Sequence, residues 1–137
     1  MTLASTPLTA LNRRLGGKMV DFAGYEMPVQ FSGIMGEHTH CREQAGLFDV
    51  SHMGQVMLRG ASYDAVATAF EQLVPMNVRD LADGRQRYGF FTNDAGGIED
   101  DLMFARRGEA LFVVVNAACK SADLALMQAG LPDIDIT

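Results

Sequence analysis

The sequence predicts an α+β fold, a mostly antiparallel sheet with flanking helices. Three observations carry that expectation. The runs Tyr88-Gly89-Phe90-Phe91, Leu102-Met103-Phe104 and Leu111-Phe112-Val113-Val114-Val115 have strand composition, and short turn signals join them into a meander. A strand and a helical stripe come before the meander, and a second helical stripe follows it. An acidic cluster, Glu99-Asp100-Asp101, lies inside the apolar meander. A carboxylate there costs several kcal/mol to bury unless a donor meets it.

The elements follow in order. Thr6 can cap a short helix with Pro7 at its first position, and Gly16-Gly17 ends it. Residues 19–23 alternate as a strand, and residues 28–31 are extended. Residues 37–44 form one short helix, closed by Gly46. Residues 54–59 read as a strand. Ser62 can cap a helix over 63–74, with Val66, Phe70 and Leu73 on one stripe and Pro75 just beyond. Residues 88–92 form a strand, and Asn93-Asp94-Ala95-Gly96-Gly97 a turn with Gly where positive φ is needed. Residues 98–105 return, Arg107-Gly108-Glu109 turns again, and 110–115 is a third strand. Asn116 can cap a helix over 117–128, stopped by Gly130 and Pro132. Asp133-Ile134-Asp135-Ile136-Thr137 reads as the start of another strand, which suggests a sequence cut short.

Composition narrows the class. With 137 residues and 48% hydrophobic content, the chain can bury a real core. No apolar run approaches the ~18 residues that span a bilayer. The first residues lack the basic and apolar regions of a secretory signal. The formal charge of −6 repels phosphate backbones, and the basic residues cluster only at Arg13-Arg14 and Arg106-Arg107, so nucleic acid is not expected as a partner. Cys41 and Cys119 are far apart, which reads as two buried free thiols in a reducing compartment.

Each chemical signal has a plainer alternative. Period-2 alternation puts Asp101 on the face of Met103, and Asp100 on the face of Leu102 and Phe104. Both faces are apolar, so at least one carboxylate belongs at a core edge rather than in water. Glu37 and His40 have the i, i+3 spacing of half a di-iron site, but the second half is absent. A helix with Cys41 inward and His38 outward is the simpler reading. Asp49, Ser51 and His52 lack the context of a hydrolase triad and read as a turn bonding its own backbone. Gly16-Gly17-Lys18 lacks the spacing of a phosphate loop.

Taken in order, several segments resemble the T-protein of the glycine cleavage system, the aminomethyltransferase family. They are Thr6-Pro7-Leu8; Gly16-Gly17-Lys18-Met19-Val20-Asp21-Phe22-Ala23-Gly24-Tyr25; and Met27-Pro28-Val29-Gln30-Phe31. Next come Leu47-Phe48-Asp49-Val50-Ser51-His52-Met53; Phe91-Thr92-Asn93-Asp94-Ala95-Gly96-Gly97-Ile98; Asp100-Asp101-Leu102; and Val114-Val115-Asn116-Ala117. The resemblance runs nearly end to end.

It implies transfer of the one-carbon unit of aminomethyl-lipoyl H-protein to tetrahydrofolate, with release of ammonia. Tetrahydrofolate is a co-substrate, the lipoylated H-protein is the partner, and neither a metal nor pyridoxal phosphate takes part. By its place in the motif, Asp101 is implied as the pocket aspartate that holds the pterin and helps N10 act as nucleophile. Met53 matches a methionine that packs on folate, and Tyr88 a residue lining the pterin region. Phe112, Val114 and Asn116 match the strand that meets the pterin, with Phe112 lacking the hydroxyl a Tyr would supply.

Family members are more than twice as long, so the resemblance also implies a partial chain, inactive alone. Residues 1–48 would belong to a first domain completed elsewhere, and residues 49–137 to an α+β folate-binding domain. A bacterial cytoplasm is expected, or a mitochondrial matrix in a eukaryote. The alternatives are the folate domain of a sarcosine or dimethylglycine dehydrogenase, a non-transferase folate-fold factor of iron–sulfur cluster assembly, and a structural module with a solvated acidic hairpin. The intact Asp100-Asp101-Leu102 and Met27-Pro28-Val29-Gln30 favour the transferase.

Overall fold

A computed structural model describes residues 2–137. The chain divides into two compact units, Met1–His52 and Met53–Thr137.

In the first unit, helix α1 (Thr9–Arg14) precedes a hairpin of strands β1 (Lys18–Phe22) and β2 (Tyr25–Gln30), and helix α2 (Ile34–Glu43) follows. The helix expected to start at Pro7 begins two residues later. Thr6 still closes the turn that leads into α1: its Oγ1 accepts from the Leu8 N–H at 3.3 Å, and its own N–H donates to Thr9 Oγ1 at 2.8 Å. Ala23, read as strand, instead forms the hairpin turn with Gly24. Both have positive φ, 53° and 79°, which matches the twist of the flanking strands.

Helix α2 exists but buries none of its residues. Cys41 is exposed, not buried as expected, because the face of α2 that carries it lines an open cavity rather than a packed core. Residues 49–52, expected in the second domain, fall within the first compact unit. Asn12 Nδ2 donates to Asp49 Oδ2 at 2.7 Å, and the Ser51 N–H and hydroxyl both donate to Asp49 Oδ1. The His52 ring meets Phe22 edge-on with centroids 5.3 Å apart.

In the second unit, strand β3 (Gly54–Arg59) leads into helix α3 (Tyr63–Phe70). Strands β4 (Gln86–Thr92), β5 (Ile98–Arg107) and β6 (Ala110–Val115) follow as an antiparallel meander. Helix α4 (Lys120–Gly130) and the short strand β7 (Asp135–Ile136) complete it. The five-stranded sheet has the order β4-β5-β6-β3-β7.

Alternation gives this sheet two unlike faces. Val56, Leu58, Phe91, Leu102, Phe104, Leu111, Val113 and Val115 are buried against Val66 and Phe70 of α3 and Met127 of α4. Phe70 sits at the centre, its ring edge-on to Phe91 at 6.1 Å and to Phe104 at 5.6 Å. The opposite face carries Tyr88, Phe90, Asp101, Met103, Phe112 and Val114, none of them fully buried.

Ser62 caps α3 as expected, accepting from the Ala65 N–H at 3.2 Å. The helix ends at Phe70 rather than 74. Glu71 instead turns its carboxylate to the backbone N–H groups of Val78 and Arg79, at 2.7 and 3.0 Å, and so shapes the exit loop. Asn116 does not cap α4, which starts at Lys120 without a side-chain cap. Its amide is used elsewhere, in the feature described next.

Candidate functional site: a carboxylate face on the five-stranded sheet

Strand alternation sets the acidic pair to opposite sides of β5, as the sequence pattern requires. Asp101 lies opposite Phe90 on β4, on the face with Met103, while Asp100 lies opposite Phe91, on the face with the buried Leu102 and Phe104. The pairing of β5 with β6 brings Met103 opposite Val114 and Ala105 opposite Phe112. Val114 therefore lies diagonal to Asp101, and Phe112 sits further along the same face.

Two donors fix the Asp101 carboxylate. Tyr88 Oη donates to Asp101 Oδ2 at 2.7 Å. Asn116 Nδ2 donates to Asp101 Oδ1 at 2.6 Å and to Asp100 Oδ1 at 3.1 Å. One amide thus clamps both carboxylates, which is why it is unavailable as a helix cap. The bond to Asp101, assisted by burial, raises the Tyr88 phenol above its ordinary value and keeps it a donor. Each carboxylate oxygen has two lone pairs, so Asp101 retains acceptor capacity after both bonds form. The arrangement offers a fixed acceptor beside an apolar surface, suited to a flat heterocycle that carries N–H groups.

Of the residues singled out from sequence, the structure joins Tyr88, Asp101 and Asn116 by hydrogen bonds and sets Phe112 and Val114 on the same face. Met53, half-buried, directly precedes β3, whose Gly54 pairs with Val115. It thus stands at the Asn116 end of the sheet.

One further group escaped the sequence reading. Behind the sheet, Asp123 of α4 is only 3% exposed. Burial first, and then the nearby Asp100, push its carboxyl up to about 7. Burial also opposes ionisation of Asp100. Bonds from Asn116, the Asp101 N–H, Cys119 and Asp123 outweigh it and hold Asp100 below the usual carboxylate range. Cys119, expected buried, is only half-buried, and the same contact with Asp100, aided by burial, raises its thiol. The available signal was the four-residue spacing Cys119, Asp123, Met127, which puts Asp123 on the inward stripe of the helix.

The first unit holds a cavity of about 900 Å³ lined in part by Leu8, Leu11, Pro28, Phe31, Leu47 and Phe48. Its carboxylates are already committed. Glu37 Oε1 accepts from the N–H groups of Phe31, Ser32 and Gly33 at 2.7, 2.6 and 3.0 Å, and those bonds hold its carboxyl below the usual range. Asp49 serves its own turn, as described above. Among the described residues, no group of three or more His, Cys, Asp or Glu is placed to hold a metal ion. No helix among them is long and apolar enough to cross a membrane.

Comparison with known proteins decides the family. The GCVT N-terminal domain model matches residues 8–137. The chain belongs to that family. An aminomethyltransferase of Rubrobacter xylanophilus is 45% identical over 135 residues, covering 98% of this chain and 36% of that protein. The mitochondrial aminomethyltransferase of Dictyostelium discoideum is 47% identical over 123 residues, covering 89% of this chain and 30% of that protein. In structure, the chain is similar to the glycine cleavage system aminomethyltransferase T of Bartonella henselae. The TM-score is 0.89 at 32% identity, covering 98% of this chain and 37% of that one. The chain thus spans about a third of the length of the curated relatives it matches. The GCVT N-terminal domain bears out the resemblance read from the sequence motifs and the antiparallel α+β fold.

Proposed function

We propose that this chain is the pterin-holding part of a tetrahydrofolate-dependent aminomethyltransferase of the glycine cleavage system. In that reaction the carbon of an aminomethyl group, carried on the lipoyl sulfur of the H-protein, passes to tetrahydrofolate. Ammonia leaves, the lipoyl thiol is freed, and 5,10-methylenetetrahydrofolate forms. The observation that carries the reading is the Asp101 carboxylate, fixed by Tyr88 and Asn116 beside the apolar Met103 and Val114.

In this proposal Asp101 accepts hydrogen bonds from the folate N–H groups and biases the proton positions that make N10 nucleophilic. Val114 and Phe112 support the flat face of the ring, and Met53 packs at its edge. Tyr88 and Asn116 keep the carboxylate in one orientation, so binding does not have to order it. No metal or pyridoxal phosphate is required in the transfer. The names of the relatives at 45% and 47% identity support the transferase over the dehydrogenase and iron–sulfur alternatives. The lipoylated H-protein is the proposed partner. The proposed compartment is the bacterial cytoplasm, or the mitochondrial matrix in a eukaryote.

Calorimetric titration of tetrahydrofolate into the chain, beside its Asp101→Asn variant, tests this. Saturable binding that weakens at least tenfold in the variant is the expected result. Equal binding by both proteins, or no binding by a folded chain, would overturn the assignment of the pterin to this face.

A further inference from the structure

The buried side of the acidic cluster poses a problem that the Asp101 face does not answer. The Oδ2 atoms of Asp100 and Asp123 are both buried, and no N–H or hydroxyl donor among the described residues reaches either. Yet the two carboxyl groups lie within hydrogen-bonding reach of each other. Two carboxylates that close cannot both ionise in a buried site.

We propose that Asp100 and Asp123 share a single proton between their Oδ2 atoms, and that this proton makes Asp123 a positioning residue for Asn116 and, through it, for Asp101. The inference rests on the reading above only for what Asp101 binds; the proton itself is argued from the two orphaned oxygens.

The groups facing the pair decide which partner carries the proton. On β5 there are Asp100 and Asp101. At the head of α4 there is Cys119, whose thiol faces Asp100. Lys120, next on the helix, lays its stem over Gly54 of β3. Asp100 collects donors: the Asn116 amide, the Asp101 N–H and the thiol. Asp123 has none of these, so Asp100 carries the charge and Asp123 the proton. Its position in the first turn of α4 favours the ionised form, but burial beside Asp100 outweighs the helix dipole.

The shared proton ties the two sides of the sheet together. Protonated Asp123 donates to Asp100, and charged Asp100 then holds one Asn116 N–H while the other N–H holds Asp101. If Asp123 ionised, the two carboxylates would repel. Asp100 would shift, and the Asn116 amide with it.

The test is carbon-13 NMR of carboxyl-labelled aspartate in this chain, without folate, from about pH 4 to about pH 9, a window spanning the ordinary and the raised values. One carboxyl should titrate near 7. The Asn116 side-chain amide resonances should move with the same midpoint. In Asp123→Asn that titration should vanish and the Asn116 amide should stay flat through neutrality. In Asp100→Asn the midpoint should fall toward the ordinary carboxyl range. Any one of three results would overturn the proposal. They are titration of every aspartate below about pH 5, a near-neutral midpoint that survives Asp123→Asn, or an Asn116 amide indifferent to it. If Asp123→Asn does not fold, Asp100→Asn decides alone, since an unmoved midpoint there excludes a shared proton. Because no folate is present, these outcomes are independent of the pterin assignment.

Discussion

Replacing Asp123 by Asn should stabilise the second unit above neutrality and leave it nearly unchanged in mild acid. The folded carboxyl titrates near 7, against an ordinary value of 3.8. Between those values the native state holds a proton that the unfolded chain has released. Stability therefore falls as pH rises through this window, and the whole penalty is present above the folded value. At ~1.36 kcal/mol per pH unit, the span from 3.8 to about 7 corresponds to roughly 4 kcal/mol. Relaxation around the charge reduces such a figure, so about 1–3 kcal/mol is the expected loss between about pH 5 and about pH 8. Asp100 is held below the ordinary range, so its own proton change falls in a more acidic window.

The assay is urea unfolding followed by circular dichroism at several pH values, wild type beside Asp123→Asn. The chain's three histidines are common to both proteins, so the difference isolates Asp123. The wild type should lose stability relative to the variant through the window. Parallel curves for the two proteins would refute the reasoning, because the proton would then not belong to Asp123.

Other perturbations probe the frame around the site. Phe70→Ala removes the ring that meets Phe91 and Phe104 and should cost about 3–5 kcal/mol in urea unfolding; a loss below about 1 kcal/mol would contradict its central place. Gly54→Ala would put a methyl 2.5 Å from Val115 Cγ2 and 2.7 Å from Lys120 Cγ. A destabilisation of about 1–3 kcal/mol is expected, and a neutral result would mean that β3 and α4 are not in close contact. Tyr88→Phe keeps the ring and removes the bond to Asp101. Its tetrahydrofolate affinity should fall roughly tenfold with the unfolding curve unchanged, and an unaltered affinity would remove Tyr88 from the site.

Much of the frame was legible in the residues. The 54–59 and 110–115 strands matched to the residue, because alternating apolar positions bounded by Gly and charged turns leave little choice of boundary. Ser62 was readable as a cap because the bond it makes is local, from the Ala65 N–H three residues on. Asn116 misled for the opposite reason. Local chemistry made it a good cap, but a tertiary partner, the acidic pair sixteen and fifteen residues earlier, claimed the amide instead. Cys41 misled because thiols favour burial in general, while the face of α2 that carries this one lines an open cavity.

The division between chain and fold is clearest at the acidic cluster. Sequence alone determined that Asp100 and Asp101 lie on opposite faces of one strand, since a strand's side chains alternate whatever surrounds them. It also tied the motifs to a family, and with it to an expected role for Asp101. Only the tertiary structure decided what each carboxylate meets. Pairing of β4, β5 and β6 brought the Tyr88 hydroxyl and the Asn116 amide to Asp101, and the packing of α4 set Asp123 against Asp100. Those contacts join residues distant along the chain, and the energy of a charge depends on its neighbours in space. No local pattern encodes that.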